Sequence, residues 1–329
     1  MGPMPKKKSL TLQRVLVLLL AYIMLAVCGG VAASVLFVPG VIGANKAAKA
    51  VIPSLKVENV DFDVTSLPQK STMYARDGST VIATFYNQNR IVVPLKKISK
   101  TMQQAVVARE DRRFWTHAGV DVQGVMRAFV QTYLVKGSQQ GGSSLTQQYV
   151  KNVLLMQAIE DDDSIAQYHA TEDTIARKIR EMLISVQMEK KYSKAEILQG
   201  YLNIAQFGNN LYGVETAAQR YFSVSAADLN VVQSATIAAI TKNPSLYDPL
   251  VEENQKESEN QRNIVLKLML QEGYITQKQY TEAVNTPLKD TLKAQDVNVG
   301  CQDTGDYAYF CDFVVHRIQN SEEFGKTRA

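Results

Sequence analysis

The chain has 329 residues, and its 36 Lys and Arg against 32 Asp and Glu give a formal net charge of +4. This excess lies in the first fourteen residues, which contain Lys6, Lys7, Lys8 and Arg14 and no acidic residue. The remaining residues are balanced in charge, which argues against a nucleic-acid-binding protein, since such a protein needs a basic face. A hydrophobic share of 46% is that of a globular chain and excludes long-range disorder.

An uncharged apolar run, residues 15–38, follows the basic tail. About 20 apolar residues cross the hydrocarbon core as a helix, whereas a cleaved signal peptide has an apolar region of roughly 7–15 residues. The length of the run favours an uncleaved transmembrane signal anchor over a signal peptide cleaved near Ala32 and Ala33. Because the basic cluster precedes the run, the positive-inside rule places residues 1–14 in the cytoplasm and the globular part outside.

Two of the three cysteines, Cys301 and Cys311, follow the predicted anchor and are ten positions apart. An oxidising compartment permits them to form a disulfide, and the alternative is a pair of free thiols. The three histidines do not cluster with these cysteines at the spacing of zinc ligands, so we expect no zinc site.

The first predicted elements after the anchor are strands. Residues 71–75 and 80–86 are rich in β-forming residues and flank a turn sequence at 76–79, which predicts a hairpin. Residues 90–95 could add a third strand, with Pro94 at its end or at a sheet edge.

From residue 99 onward the apolar spacing is helical, with Ser99, Asp121 and Ser193 as candidate N-caps. An acidic stretch, 157–173, is interpreted as a solvated insertion, and 310–318 as a strand or a helix. The fold class is therefore mainly α with a small membrane-proximal β element. The predicted helices are 99–112, 121–137, 145–156, 174–191, 193–207, 213–222, 225–242, 260–271 and 276–284.

Four segments hold more polar residues than a helical core requires. They are 110–121 (EDRRFWTHAGVD), 141–152 (GGSSLTQQYVKN), 177–181 (RKIRE) and 194–203 (KAEILQGYLN). In this order they resemble the motifs of the peptidoglycan glycosyltransferase domain of class A penicillin-binding proteins (glycosyltransferase family 51). A fifth family element matches Gly213, Ala217, Ala218, Tyr221 and Phe222. The resemblance covers about residues 95–288, and five motifs in order make it specific.

The resemblance implies a lysozyme-like fold and an enzyme that polymerises lipid II into β-1,4 glycan strands with inversion at the anomeric carbon. It implies that Glu110 is the catalytic base for the acceptor 4-hydroxyl and that Glu181 assists at the donor pyrophosphate. The alternative for Glu110 is a surface carboxylate paired with Arg112 or Arg113. Glu181 could also act through a divalent cation, Mg²⁺ or Mn²⁺, and no organic cofactor is expected.

A pyrophosphate leaving group needs cations, and Lys151, Arg177 and Lys178 suit this requirement. Without the resemblance, Arg177 and Lys178 would be ordinary intrahelical partners of Glu181. Among the other candidates, Phe114 could equally be a core aromatic residue. The remaining predicted substrate-binding residues are Asp111, Phe114, His117, Ser143, Thr146, Gln148 and Asn203.

The expected partners are lipid II, the growing glycan strand, the membrane and proteins of the cell-wall synthesis machinery, without nucleic acid. Because the donor carries a polyprenyl chain, we expect an apolar helix face around Val153–Met156 to enter the membrane interface. A lysozyme-like hydrolase and a catalytically silent scaffold are the competing interpretations. The cations argue against the hydrolase, and retention of both Glu110 and Glu181 argues against the scaffold.

The predicted organisation has five parts. They are a cytoplasmic tail (1–14), the anchor (15–38), a linker with the hairpin (39–95), the glycosyltransferase domain (96–288) and the start of an interdomain linker (289–329). The transpeptidase motifs Ser-x-x-Lys and Lys-Thr-Gly do not occur in the sequence. The sequence is therefore either a piece of a bifunctional protein or a monofunctional enzyme, and the linker-like tail after Pro287 favours the first. We expect no transpeptidase activity in these residues.

Overall fold

The structure is a computed structural model, and it describes residues 67–86, 88–133, 142–208, 210–295, 300–301 and 304–324. The predicted tail and anchor lie outside these residues. Within the described ranges, no helix has both the length and the apolar character needed to cross a membrane.

The chain divides into two compact units. The first contains Met1–Lys56 and Thr174–Arg180, of which only the second segment is described, as the opening turns of a helix. The second contains Val57–Asp173 and Glu181–Ala329 and holds the elements that follow.

The second unit is mainly helical, which confirms the predicted class. The helices of the chain, including the one that begins in the first unit, are α1 (Lys100–Glu110), α2 (Val122–Tyr133), α3 (Leu145–Glu160), α4 (Ser164–Thr171), α5 (Ile175–Lys191), α6 (Lys194–Ile204), α7 (Val214–Phe222), α8 (Val231–Ile240), α9 (Gln255–Gln271), α10 (Gln277–Val284), α11 (Leu288–Thr291) and α12 (Ala308–Gln319). The strands are β1 (Ser71–Tyr74), β2 (Val81–Phe85), β3 (Asn89–Arg90), β4 (Gln206–Gly208) and β5 (Leu211–Tyr212).

Local capping determines where several helices begin. The hydroxyl of Ser99 accepts a hydrogen bond from the N–H of Met102, as predicted. A capping box joins Ser193 to Glu196 at the start of α6, also as predicted, and a second opens α3 at Ser144. These caps satisfy N–H groups that have no partner within their own helix.

The core of the second unit has two parts. Helices α1, α8 and α9 pack against one another, and α3 packs against both α4 and α6. On α6, a Cβ added to Gly200 would lie 2.3 Å from the ring of Tyr149 on α3, so the close approach of these helices requires glycine. This packing holds the N-terminal half of α3 against α6.

The hairpin of β1 and β2 is confirmed, with antiparallel pairing from Ser71 opposite Phe85. The third strand that residues 90–95 could add is present, but it is shorter than expected and belongs to a different sheet. Only Asn89 and Arg90 are in a strand, and they pair in parallel with β5, which also pairs with β4. Arg90 is fully buried there, and its guanidinium donates to the carbonyls of Pro68 and Asn203, which are 22 and 113 residues away in sequence.

Other element boundaries also differ from the predictions. Helix α6 ends at Ile204 rather than at residue 207, because 206–208 form β4. Helix α8 starts at Val231, after a short 3-10 helix. The acidic insertion is not entirely irregular, because Asp163 caps α4 by accepting two backbone N–H bonds.

A small substructure lies at the end of the described chain. Cys301 and Cys311 form a disulfide, and the buried Cys311 packs with Ile82 and Ala83 of β2. The N–H of Gly300 donates to the carbonyl of Thr84 at 2.9 Å. The disulfide therefore links α12 to residues 300–301, and this linked pair contacts β2 of the hairpin.

Candidate active site

Glu110 is the last residue of α1, and both of its carboxylate oxygens accept hydrogen bonds. The side-chain amide of Gln148 donates to Oε2 at 2.9 Å, and the hydroxyl of Thr241 lies 2.8 Å from Oε1. The two arginines that were alternative partners of Glu110 pair with other residues. Arg112 pairs with Glu272, and Arg113 forms a bidentate pair with Asp121. Glu110 is thus a half-buried carboxylate held by two neutral groups.

Tyr201 of α6 fixes the orientation of the Gln148 amide. Its buried hydroxyl donates to Oε1 of Gln148 at 3.2 Å, so the amide nitrogen must face Glu110. Burial raises the pKa of Tyr201 well above its ordinary value, and the negative charge of Glu110 adds to this effect. Tyr201 therefore remains a neutral donor over the whole neutral range.

Asp111 links the first motif to the second. Its Oδ2 atom accepts the backbone N–H of Leu145 at 3.0 Å and lies 2.8 Å from Nε2 of His117. Its Oδ1 atom is buried and has no hydrogen-bond partner among the described residues. Asp111 thus connects the residue after α1 to the first turn of α3.

Gly119, the glycine of the first motif, allows a close crossing with α5. Its φ is +85°, and a Cβ there would lie 2.7 Å from the backbone of Ser185 and Val186. The hydroxyl of Ser144 donates to the carbonyl of Gly119 at 2.6 Å. These contacts join the first and second motifs to the part of α5 that follows Glu181.

Two charged residues that the sequence analysis did not single out lie beside His117. Lys194, the first residue of α6, has its Nζ 3.4 Å from Nδ1 of His117 and 2.8 Å from the carboxylate of Glu189. That carboxylate also accepts the hydroxyl of Thr146. The ring of Phe114 is fully buried, with Lys194 Nζ 4.6 Å from its centroid. Lys194 is the first residue of the fourth motif, and this position was the only sequence feature that pointed to it. Glu189 lies outside every motif.

Ser143, Lys151 and Asn203 lie at or near α3 and α6. Ser143 is half-buried and precedes the N-cap of α3, and Lys151 is half-buried on α3 itself. The amide of Asn203 bonds the N–H and carbonyl of Val93 and the carbonyl of Gln199. These bonds hold the segment after β3 to α6, and a substrate-binding role for Asn203 stays a prediction.

The residues of the third motif share helix α5. Glu181 is buried in the second unit, and its carbonyl accepts the hydroxyl of Ser185 at 2.7 Å. Arg177 and Lys178 belong to the first unit, where the N–H groups of both bond to Thr174. Their roles toward the substrate therefore remain predictions.

A metal cage made of protein ligands is absent from the described residues, where no group of three His, Cys, Asp or Glu side chains could hold an ion. Divalent cations of the Mg²⁺ type prefer several oxygen ligands and commonly share substrate phosphates. Glu181 alone does not make such a site, so a cation held there would need further ligands from the substrate.

The same region matches a known protein family. The family model described as transglycosylase matches residues 78–270, more than half of the chain. The chain therefore belongs to the transglycosylase family. The matched residues include Glu110, Glu181 and all the motif residues that surround them.

The relatives are penicillin-binding proteins. The chain is 38% identical to penicillin-binding protein 4 of Bacillus subtilis (strain 168) over 272 residues, which cover 82% of this chain and 40% of that protein. It is 39% identical to penicillin-binding protein 1A of Aquifex aeolicus (strain VF5) over 229 residues, covering 70% of this chain and 29% of that protein. The crystal structure of penicillin-binding protein 1A from Haemophilus influenzae matches with a TM-score of 0.42 and 24% identity, covering 79% of this chain and 25% of that chain. The chain thus spans less than half the length of these relatives.

Proposed function

We propose that this chain is a peptidoglycan glycosyltransferase that polymerises lipid II into β-1,4 glycan strands. The observation that carries the proposal is the Glu110 carboxylate, held by Gln148 and Thr241 inside a transglycosylase-family domain. A carboxylate fixed by neutral donors keeps its capacity to accept a proton, as a general base requires.

In the proposed reaction, Glu110 takes the proton from the 4-hydroxyl of the acceptor sugar. The hydroxyl oxygen then attacks the anomeric carbon of the donor, and the bond between that carbon and the pyrophosphate oxygen breaks. The lipid pyrophosphate leaves with the electron pair, and the anomeric centre is inverted. Lys151, Arg177 and Lys178 are proposed to stabilise the charge that develops on the leaving group.

Glu181 is proposed to assist at the pyrophosphate. Its side chain is buried, so it is not a solvated surface carboxylate. Glu181 is also proposed to act through a divalent cation, which would take its further ligands from the substrate.

The test is an electrophoretic assay of glycan chains made from labelled lipid II. We expect a ladder of products from the wild type and none from Glu110→Gln, which keeps the shape of the side chain but not its basicity. Glu282→Gln is the matched control, because Glu282 is exposed on α10, and it should give the wild-type ladder.

The other outcomes distinguish the competing functions. Shortening of preformed glycan without a ladder would favour the lysozyme-like hydrolase. Binding of lipid II with neither reaction would favour the silent scaffold. A ladder from Glu110→Gln equal to that of the wild type would refute the assignment of Glu110 as the base.

We also propose that the protein is a single-pass protein of a bacterial cell membrane, with the enzyme domain outside the cytoplasm. The basic tail before the uncharged run at 15–38 supports this topology. The growing glycan strand and proteins of the cell-wall synthesis machinery are the proposed partners.

A further inference from the structure

We propose that Lys194 and Glu189 are positioning residues that hold His117 in the tautomer with its proton on Nε2. This N–H in turn fixes the side chain of Asp111, the residue that follows Glu110. The inference rests on the proposed function for its kinetic part, whereas the tautomer can be observed without any activity.

The pair of Lys194 and Glu189 is held within the fold. The Glu189 side chain is 6% exposed and its carboxylate accepts from Lys194 at 2.8 Å and from the hydroxyl of Thr146. Thr146 is completely buried in the first turn of α3. A buried carboxylate with two donors fixes the ammonium group more firmly than an exposed ion pair would.

The ammonium group of Lys194 and the carboxylate of Asp111 favour the same tautomer of His117, from opposite sides of the ring. An ammonium nitrogen has only donors, so Nδ1 of His117, 3.4 Å away, must accept. The proton of the neutral ring is then on Nε2, which donates to Asp111 at 2.8 Å. The groups that face the ring are the carboxylates of Asp111 and Glu189, the ammonium of Lys194 and the ring of Phe114.

The tautomer matters for the site because Asp111 is the neighbour of Glu110. With Nε2–H and the N–H of Leu145 as donors, Oδ2 of Asp111 has a fixed position at the N-terminus of α3. In the other tautomer, Nε2 would be an acceptor facing a carboxylate oxygen, and the contact would become repulsive. The segment that begins at Glu110 would then lose one of its attachments to α3.

The first experiment reads the tautomer directly. The full chain is labelled with ¹⁵N-histidine, and its long-range ¹H–¹⁵N spectrum distinguishes the two neutral tautomers and the imidazolium. The chain has three histidines, so the variants His169→Gln and His316→Gln assign the signals. We expect the Nε2–H pattern for His117 in the wild type and in Lys194→Arg, and loss of this pattern in Lys194→Met.

Lys194→Met leaves the Glu189 carboxylate without its cation, which could impair folding. The double variant Lys194→Met with Glu189→Met removes both charges and therefore avoids a buried unpaired carboxylate. It also removes the donor that faces Nδ1, so the share of the Nε2–H tautomer should fall below that of the wild type, although Asp111 still accepts from Nε2. Lys278→Met is the matched control, because Lys278 and Glu282 form an exposed pair on α10, and it should change nothing.

The second experiment separates positioning from general stability by kinetics with lipid II. For Lys194→Met we expect kcat to fall about 10- to 100-fold with KM changed by less than about twofold, since misplaced catalytic groups lower kcat. Lys194→Arg should recover most of kcat. A wild-type Nε2–H pattern in both Met variants would overturn the inference, and so would an altered pattern with unchanged kcat. If the wild type is inactive on lipid II, the proposed function fails while the tautomer result still stands.

Discussion

The orientation of the Glu110 carboxylate depends on side chains that come from distant parts of the sequence. Gln148 lies on α3, Tyr201 on α6 and Thr241 at the end of α8, and together they form one hydrogen-bonded chain. Such a network fixes a proton acceptor without neutralising it, which is what a general base needs.

Replacement of Gln148 by Leu should lower both the activity and the stability of the protein. Glu110 would lose a donor and could rotate, and the buried hydroxyl of Tyr201 would lose its acceptor, costing about 1–3 kcal/mol of unfolding free energy. We expect kcat on lipid II to fall about 100-fold. Tyr201→Phe, which removes the hydroxyl but keeps the Gln148 amide, should lower kcat less. Equal losses in the two variants would contradict the role of Gln148 as the direct donor.

The second prediction concerns the stability of a variant at Gly119. Gly119→Ala should destabilise the fold by more than about 2 kcal/mol, because it adds both a strained φ and a backbone clash with α5. Gly273→Ala is the matched control, since Gly273 has a similar φ of +70° and nothing within 4 Å of the added Cβ. Thermal unfolding of both variants measures the difference. If the two midpoints fell equally, the contact with Ser185 and Val186 would carry no energetic weight.

At the level of secondary-structure elements, the Cys301–Cys311 disulfide should stabilise only α12 and the hairpin that it packs against. The buried Cys311 packs against Ile82 and Ala83, away from the helices that hold Glu110. We expect Cys301→Ser with Cys311→Ser to accelerate amide hydrogen exchange in β2 and α12. Loop entropy gives a stabilisation of about 2–3 kcal/mol for a closure of this length.

The same exchange experiment contains its own control. The amides of α1, which are at the centre of the helical core, should keep their wild-type rates, and polymerisation of lipid II should continue. Faster exchange throughout α1, α8 and α9 would show that the disulfide supports the whole domain.

The sequence predicted elements well where their causes are local. The caps at Ser99 and Ser193 depend on side chains within three residues, so they are visible in the pattern. The pairing of Asn89 and Arg90 with β5 was missed because its partners lie more than a hundred residues away. For the same reason the motifs pointed to Glu110 and Asp111, whereas Thr241 and Glu189 became visible only through the contacts of the folded chain.

For the whole molecule, the polyprenyl chain of the proposed donor requires that the domain meets a membrane surface. The expectation that Val153–Met156 provides this contact is wrong for its two end residues, because Val153 and Met156 are buried in the core. The exposed apolar side chains of this region are Ile159 at the end of α3, and Ile165 and Tyr168 on α4. They are the better candidates for the interface, because they are large, exposed apolar side chains on two helices that pack against each other.

This assignment predicts how a chain that lacks residues 1–38 binds lipid vesicles. Ile165 and Tyr168 are 69% and 63% exposed, and burying each should contribute on the order of 1–2 kcal/mol. Replacing either by Asp should therefore weaken binding to zwitterionic vesicles about tenfold in a sedimentation assay. Phe313→Asp is the matched control, because Phe313 is 66% exposed on α12, outside this region.

The negative charge of the acidic insertion predicts how vesicle binding depends on lipid charge and on salt. Glu160, Asp161, Asp162 and Asp163 are exposed beside the apolar side chains, so anionic lipids should weaken binding and added salt should restore it. Binding that increases with anionic lipid would point to a basic surface elsewhere. Equal losses from Phe313→Asp and Ile165→Asp would mean that exposed apolar side chains bind vesicles without regard to position, and α4 would lose its assignment as the membrane-facing element.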